Sequence, residues 1–244
     1  YERSLRDFES YFKGIDASMA WTTIDADVVR NWLETLVDKG HKATSVNADL
    51  SALRSFSRFA LSRKLVERDP VHGLTGPKKQ KPLPQFMREN EMDKLLDQEE
   101  WSDTYKDVRA RTIILLLYET GIRRSELTGL NDHDIDFEAR QLKVTGKRDK
   151  QRIVPFGEEL ATELQRYIEV RDQEMEKKST ALFLNKHGER MTGCQVYSIV
   201  REELSKVTTM KKRSPHVLRH TFATAMLNHE AGLESVRLLL GHDS

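Results

Sequence analysis

A single cysteine, Cys194, is present in the 244 residues, so no internal disulfide can staple the chain and no thiolate cluster can hold a metal. Long apolar runs are also missing. The longest purely aliphatic stretch is Ile113 to Leu117, far below the ~18 apolar residues that a membrane-spanning helix needs, and the mean hydropathy of -0.63 agrees. Neither a span nor an anchor is expected. Tyr1, Glu2 and Arg3 carry no apolar signal-peptide core, so the expected compartment is the cytoplasm. Proline is scarce: there are six, and four of them (Pro70, Pro77, Pro82, Pro84) share one stretch. Net charge is close to nil, +1 from 40 basic and 39 acidic residues. With 38% hydrophobic residues the chain is not globally disordered, and its length suits two compact domains better than one core.

What is present is charge in patches. Arg140 to Arg152 holds Arg140, Lys143, Lys147, Arg148, Lys150 and Arg152 against Asp149 alone. Between Leu204 and His220 stand Lys206, Lys211, Lys212, Arg213 and Arg219 with no acid, whereas Glu89 to Asp107 holds eight acids and two lysines. A nucleic-acid binder is recognised by where its charges lie, although a solvated helix face accounts for most single runs.

The prolines, with Gly73, Gly76, Lys78, Lys79 and Lys81, mark an extended linker between Asp69 and Pro84. Before it the pattern is helical: a segment ending near Tyr11, one from Asp25 to Lys39 stopped by Gly40, and one starting at a Thr44 cap. In the third, Asn47, Ser51, Arg54 and Arg58 form a stripe without an acid. This stripe suits DNA phosphates and equally an ordinary solvated face. After the linker, Thr112 to Tyr118 continues an apolar helix capped by Gly121, and a shorter helix starts at Ile122. The period then changes to that of strands at Asp134–Phe137, Gln141–Thr145 and Gln151–Pro155, the last two closed by a hairpin turn, Gly146 to Lys150. Helices resume from Gly157 to about Lys177, after a Thr192/Gln195 capping box, and after Ser214-Pro215.

His216 and Arg219 share a face in the first turns of that last helix, where free N–H groups favour an anion. Arg123 and Glu126 have the same spacing, which lets the carboxylate fix the guanidinium. Lys147 sits at a hairpin tip, and His242 follows an apolar helix end. Taken singly, these are also an ordinary salt bridge, an exposed lysine and structural histidines. His216 and His220 have the spacing of a metal pair, but no glutamate follows His216 and Arg219 sets a fixed positive charge beside the site.

Taken in order, Thr120-Gly121-Ile122-Arg123-Arg124-Ser125-Glu126-Leu127, Gly146-Lys147, Ser214-Pro215-His216-Val217-Leu218-Arg219-His220-Thr221-Phe222-Ala223-Thr224 and Leu239-Leu240-Gly241-His242 resemble the catalytic motifs of tyrosine recombinases, phage-integrase-like enzymes, and their Xer branch most. The resemblance implies a mostly α fold: a helical SAM-like core-binding domain over 1–76, a linker over 77–86, and an α-rich catalytic domain over 87–244 with a small three-stranded antiparallel sheet. It implies site-specific recombination through a 3'-phosphotyrosyl intermediate. Arg123 and Arg219 would hold the scissile phosphate, Lys147 would protonate the leaving 5' oxygen, His216 would be the acid-base partner, His242 would donate to the phosphate and Glu126 would order the site. No metal or cofactor is implied. The partners implied are double-stranded DNA, met by Asn47, Arg54, Arg58, Lys78, Lys79, Lys81, Arg148, Lys211, Lys212 and Arg213, and further recombinase subunits in a homo- or hetero-tetramer on paired sites. A nucleoid-associated cytoplasmic location follows.

Family members place a nucleophilic tyrosine soon after the Gly-His motif, and the tyrosines here (Tyr1, Tyr11, Tyr105, Tyr118, Tyr167, Tyr197) all precede His216. We therefore expect a chain trimmed at both ends, without its nucleophile and inactive in covalent chemistry. Alternatives are a DNA-binding module, an inhibitor of intact recombinases, or a type IB topoisomerase-like activity.

Overall fold

A computed structural model describes residues 1–79, 85–98, 101–146, 149–229 and 232–241. Lys81, Lys147, Arg148 and His242 lie outside the described residues. The chain divides into two units, Tyr1–Leu83 and Pro84–Ser244.

The first unit packs α1 (Glu2–Ile15), α2 (Ala26–Asp38) and α3 (Ala43–Ser62). Asp25 starts α2 by accepting the N–H groups of Asp27 at 3.0 Å and Val28 at 2.9 Å, and Gly40 ends the turn after it in the left-handed region, φ +77°. The first helix runs a turn beyond the expected end at Tyr11, because Phe12 is buried against Trp21 and carries the apolar face onward. The third starts at a Lys42 cap, two residues before Thr44. Phe8, Trp32, Leu50 and Leu53 fill the core.

Part of the expected linker belongs to this unit. Val71 and Leu74 are buried in its core. The stripe on α3 fastens them: Arg54 donates to the Leu74 carbonyl, and Asn47 Nδ2 reaches the Pro77 carbonyl at 2.9 Å. Asn47 and Arg54, expected on DNA, are thus held within the unit, and Arg58, Lys78 and Lys79 remain exposed.

The second unit begins with a short helix, α4 (Glu89–Asp93), and a π-helical turn, Lys94–Gln98. Its centre is α5 (Tyr105–Thr120), in which Ile113 to Leu117 are all buried. A helical stretch apolar all round must be covered on every side, and α7 (Glu158–Glu174), α8 (Gly193–Val207) and α9 (Pro215–Asn228) pack on α5. The sheet is antiparallel in the order β1 (Ile135–Asp136), β2 (Gln141–Thr145), β3 (Gln151–Pro155). Leu142 pairs with Val154 and Val144 with Arg152, and the inward positions Leu142, Val144 and Val154 are buried. A 3-10 turn, Asp132–Asp134, leads into β1, and the unit also holds α6 (Arg124–Gly129) and α10 (Leu233–Leu240).

Candidate active site

Gly121 ends α5 at φ +58°, and a Cβ there would stand 2.3 Å from the Phe222 ring. Only glycine combines that backbone with so close an approach. The sharp turn presents Arg123 as the N-cap residue of α6, and three residues on Glu126 turns back to accept the Arg123 N–H at 2.7 Å and its Nη1 at 2.9 Å.

Glu126 is 2% exposed. Arg152 clasps it from the β3 side, Nη1 to Oε1 at 2.8 Å and Nη2 to Oε2 at 3.0 Å. Burial pushes the Glu126 carboxyl up, but hydrogen bonds from Arg152 and the Arg123 backbone, with the Arg152 charge, outweigh it and hold the group below its ordinary range.

Arg219 lies one turn into α9 and is 5% exposed. Its Nη1 donates to the Gly121 carbonyl at 2.5 Å and its Nη2 to the Leu240 carbonyl at 2.7 Å. Desolvation, with the charges of Arg123 and Arg152, lowers its pKa to about 10, against the pull of Glu126. Three successive carbonyls at the end of α10 each take one arginine: Leu239 from Arg152 Nε at 2.8 Å, Leu240 from Arg219, and Gly241 from Arg123 Nη2 at 2.9 Å. The C-terminal end of a helix carries partial negative charge, which suits this anchorage.

Arg123 stands between two open spaces. One, about 360 Å³, is lined by Arg123, Ser214, His216, Arg219 and Tyr197. The other, about 840 Å³, is lined by Arg123, Gly146, Lys150, Arg152, Arg237 and Gly241. Ser214 is the N-cap residue of α9 with Pro215 in its first turn, as expected, but its side chain makes no cap bond and so does not occupy that helix's N–H groups. His216 is exposed, its ring 5.1 Å from that of His220.

The structure therefore brings together Arg123, Glu126, His216 and Arg219, and places Gly146 and Gly241, the neighbours of Lys147 and His242, on the cleft. Lys211 and Lys212 are exposed and Arg213 half-buried just ahead of α9. Tyr197, Arg152 and Arg237 escaped the sequence reading. Tyr197 lines the smaller pocket, with no motif to announce it. Arg152 stood only among the basic residues of the hairpin, yet it alternates with Val154 and so shares the inward face, where a charge needs a partner.

Arg123, Arg152 and Arg219 thus gather around one buried carboxylate, Glu126, and the end of α10, on a helical unit with a small antiparallel sheet. Comparison with known proteins goes further. The "Phage integrase family" profile matches residues 85–244, and "Phage integrase, N-terminal SAM-like domain" matches residues 1–64. Tyrosine recombinase XerD of Oceanobacillus iheyensis is 34% identical over 245 residues, covering 99% of this chain and 82% of the relative. Tyrosine recombinase XerC of Staphylococcus carnosus is 38% identical over 213 residues, covering 87% of this chain and 72% of the relative. The crystal structure of XerH site-specific recombinase bound to palindromic difH substrate shares the fold, with TM-score 0.81 and 23% identity over 99% of this chain and 71% of that one. The chain belongs to the phage integrase family, as a tyrosine recombinase similar to the Xer proteins, and so to a class of enzymes that cleave and rejoin DNA.

Proposed function

We propose that the protein recombines double-stranded DNA at specific sites by transesterification, without a cofactor. The observation that carries this reading is the meeting of Arg123, His216 and Arg219 around one open pocket at the start of α9. A tyrosine oxygen attacks the phosphorus as the bond to the 5' oxygen breaks, leaving a 3'-phosphotyrosyl bond and a 5' hydroxyl. Attack by the 5' hydroxyl of another strand reverses the step and returns the tyrosine. Charge gathers on the non-bridging oxygens in the transition state, and planar guanidiniums meet two oxygens each, so Arg123 and Arg219 hold them. His216 takes and returns the nucleophile's proton, Lys147 protonates the leaving oxygen, His242 donates to the phosphate, and Glu126 orders Arg123.

Arg58, Lys78, Lys79, Lys81, Arg148, Lys211, Lys212 and Arg213 contact the duplex backbone, with Asn47 and Arg54 supporting the segment that carries the lysines. Four subunits act on two paired sites, on nucleoid DNA in the cytoplasm. The experiment uses protein expressed from its complete reading frame. Covalent capture from a randomised nicked-duplex library identifies the preferred sequence, and a plasmid carrying two copies of it is then incubated with the protein. Exchange between the copies is the expected result, and relaxation of supercoils without exchange would point to a topoisomerase-like activity instead.

A further inference from the structure

Arg152 commits all three guanidinium nitrogens to the site. Two clasp the Glu126 carboxylate at 2.8 and 3.0 Å, and the third donates to the Leu239 carbonyl in the last turn of α10 at 2.8 Å. Its side chain is 16% exposed, against 37% for Arg123, so Arg123 is the one placed to meet a ligand. Glu126 joins them, accepting from Arg152 on one side and from Arg123 on the other. The fit behind Arg152 is close: a Cβ on Gly241 would stand 2.9 Å from its Nη1.

We propose that Arg152 is a positioning residue of the phosphate site, which holds Glu126 and the end of α10 in place and thereby sets the donor face that Arg123 offers to a DNA phosphate. The inference rests on the function proposed above. Bidentate pairing fixes two planes against each other, which a lysine cannot do. Without Arg152, a nearly buried carboxylate loses one of its two guanidinium partners and burial favours its protonated form. A protonated Glu126 no longer offers Arg123 the same two acceptors, and the Arg123 guanidinium loses its orientation. The charged groups around Glu126 are Arg123 ahead of α6, Arg152 on β3 and Arg219 on α9. Lys150 and Arg237 line the wider cleft, and His133, Asp134 and Lys143 line the pocket behind.

Single-turnover cleavage of a nicked duplex, measured between pH 5.5 and 8.5 at saturating protein, tests this in the protein from its complete reading frame. Wild type, R152Q, R152K, E126Q and the E126Q/R152Q double variant are compared, together with their duplex Kd values. R152Q should cleave at least ~10-fold more slowly at neutral pH, the scale for losing a residue that orients a ligand-binding one, with Kd within about threefold of wild type. Its rate relative to wild type should fall further as pH falls, R152K should show the same trend more weakly, and the double variant, which retains His133 and His216 but has no carboxyl at 126, should lose it. A constant ratio at every pH, or R152Q or R152K at the wild-type rate throughout, would overturn the inference and leave Arg152 a structural ion pair. Should R152Q fail to fold, R152K against wild type decides by the same criterion. A wild type that does not cleave would instead remove the proposed function beneath it.

Discussion

Arg219 donates to the Leu240 carbonyl at 2.7 Å, and the other arm of the same buried guanidinium reaches the Gly121 carbonyl at 2.5 Å. One side chain of α9 thus joins the end of α5 to the end of α10. Its charge is kept away from water and beside Arg123, which is why its pKa falls to about 10. An anion at the pocket relieves that penalty, because it stabilises the charged form.

Inorganic phosphate should therefore stabilise this chain. At 10 mM phosphate and a Kd of ~1 mM the gain is about 1.4 kcal/mol, a rise of roughly 3–6 °C in Tm. Arg219→Ala should lose most of it in a thermal melt. Because the anion binds the protonated guanidinium, the rise is fully present well below pH 10 and disappears as pH passes above it. An undiminished rise in Arg219→Ala would place the anion elsewhere.

Duplex affinity should fall steeply with salt, by roughly 0.9 in log–log slope for each neutralised phosphate, since exposed Arg58, Lys78, Lys79, Lys211 and Lys212 are assigned to the backbone. Cleaving the chain after Leu83 should weaken binding severely, because each unit loses the other's effective concentration. Titrations at 50 and 200 mM salt check both, and a flat response would contradict the assignment.

Gly241→Ala should damage the site more than the fold. Its φ is +62°, where a non-glycine residue costs about 1–2 kcal/mol. The new Cβ would also press on the Arg152 guanidinium, at 3.1 Å from Cζ. A chemical melt should show the modest loss, while cleavage by the protein from its complete reading frame should drop ~10-fold or more, the scale set for Arg152 itself. Normal cleavage would show that the end of α10 does not matter to Arg123.

The hairpin and the helix starts at Asp25 and Thr192 were legible because each rests on local chemistry: period-2 alternation for the strands, and a side chain accepting the first free N–H groups for the helices. That Arg123, Glu126, His216 and Arg219 come together was legible from ordered motifs and i,i+3 spacing. Arg152 was not, because its role depends on which face of β3 points inward and on the return of α10 from far along the chain. The bonds that Asn47 and Arg54 make to the Pro77 and Leu74 carbonyls were not legible either, for a similar reason. An acid-free stripe looks the same from sequence whether it faces phosphates or the carbonyls of a returning segment, and here Val71 and Leu74 bring those carbonyls back onto α3.

Lys147 is assigned the proton for the leaving 5' oxygen. A thiolate leaves without a proton far more readily than an alkoxide, so a 5'-bridging sulfur should make the donor dispensable. Lys147→Ala in the complete reading frame should be slow on ordinary DNA and recover on the sulfur substrate. Equal slowness on both would give Lys147 another task.

Covalent capture in EDTA tests the central claim most directly. Protein from the complete reading frame is incubated with a nicked, labelled duplex carrying its preferred site, and the products are run on a denaturing gel. A protein–DNA band that forms undiminished in EDTA, runs through the 3' phosphate, and forms at least ~100-fold more slowly in Arg219→Ala, the scale for losing one transition-state donor, is the result this account predicts. Strand scission with no attached protein, appearing only when a divalent metal is added, would contradict it.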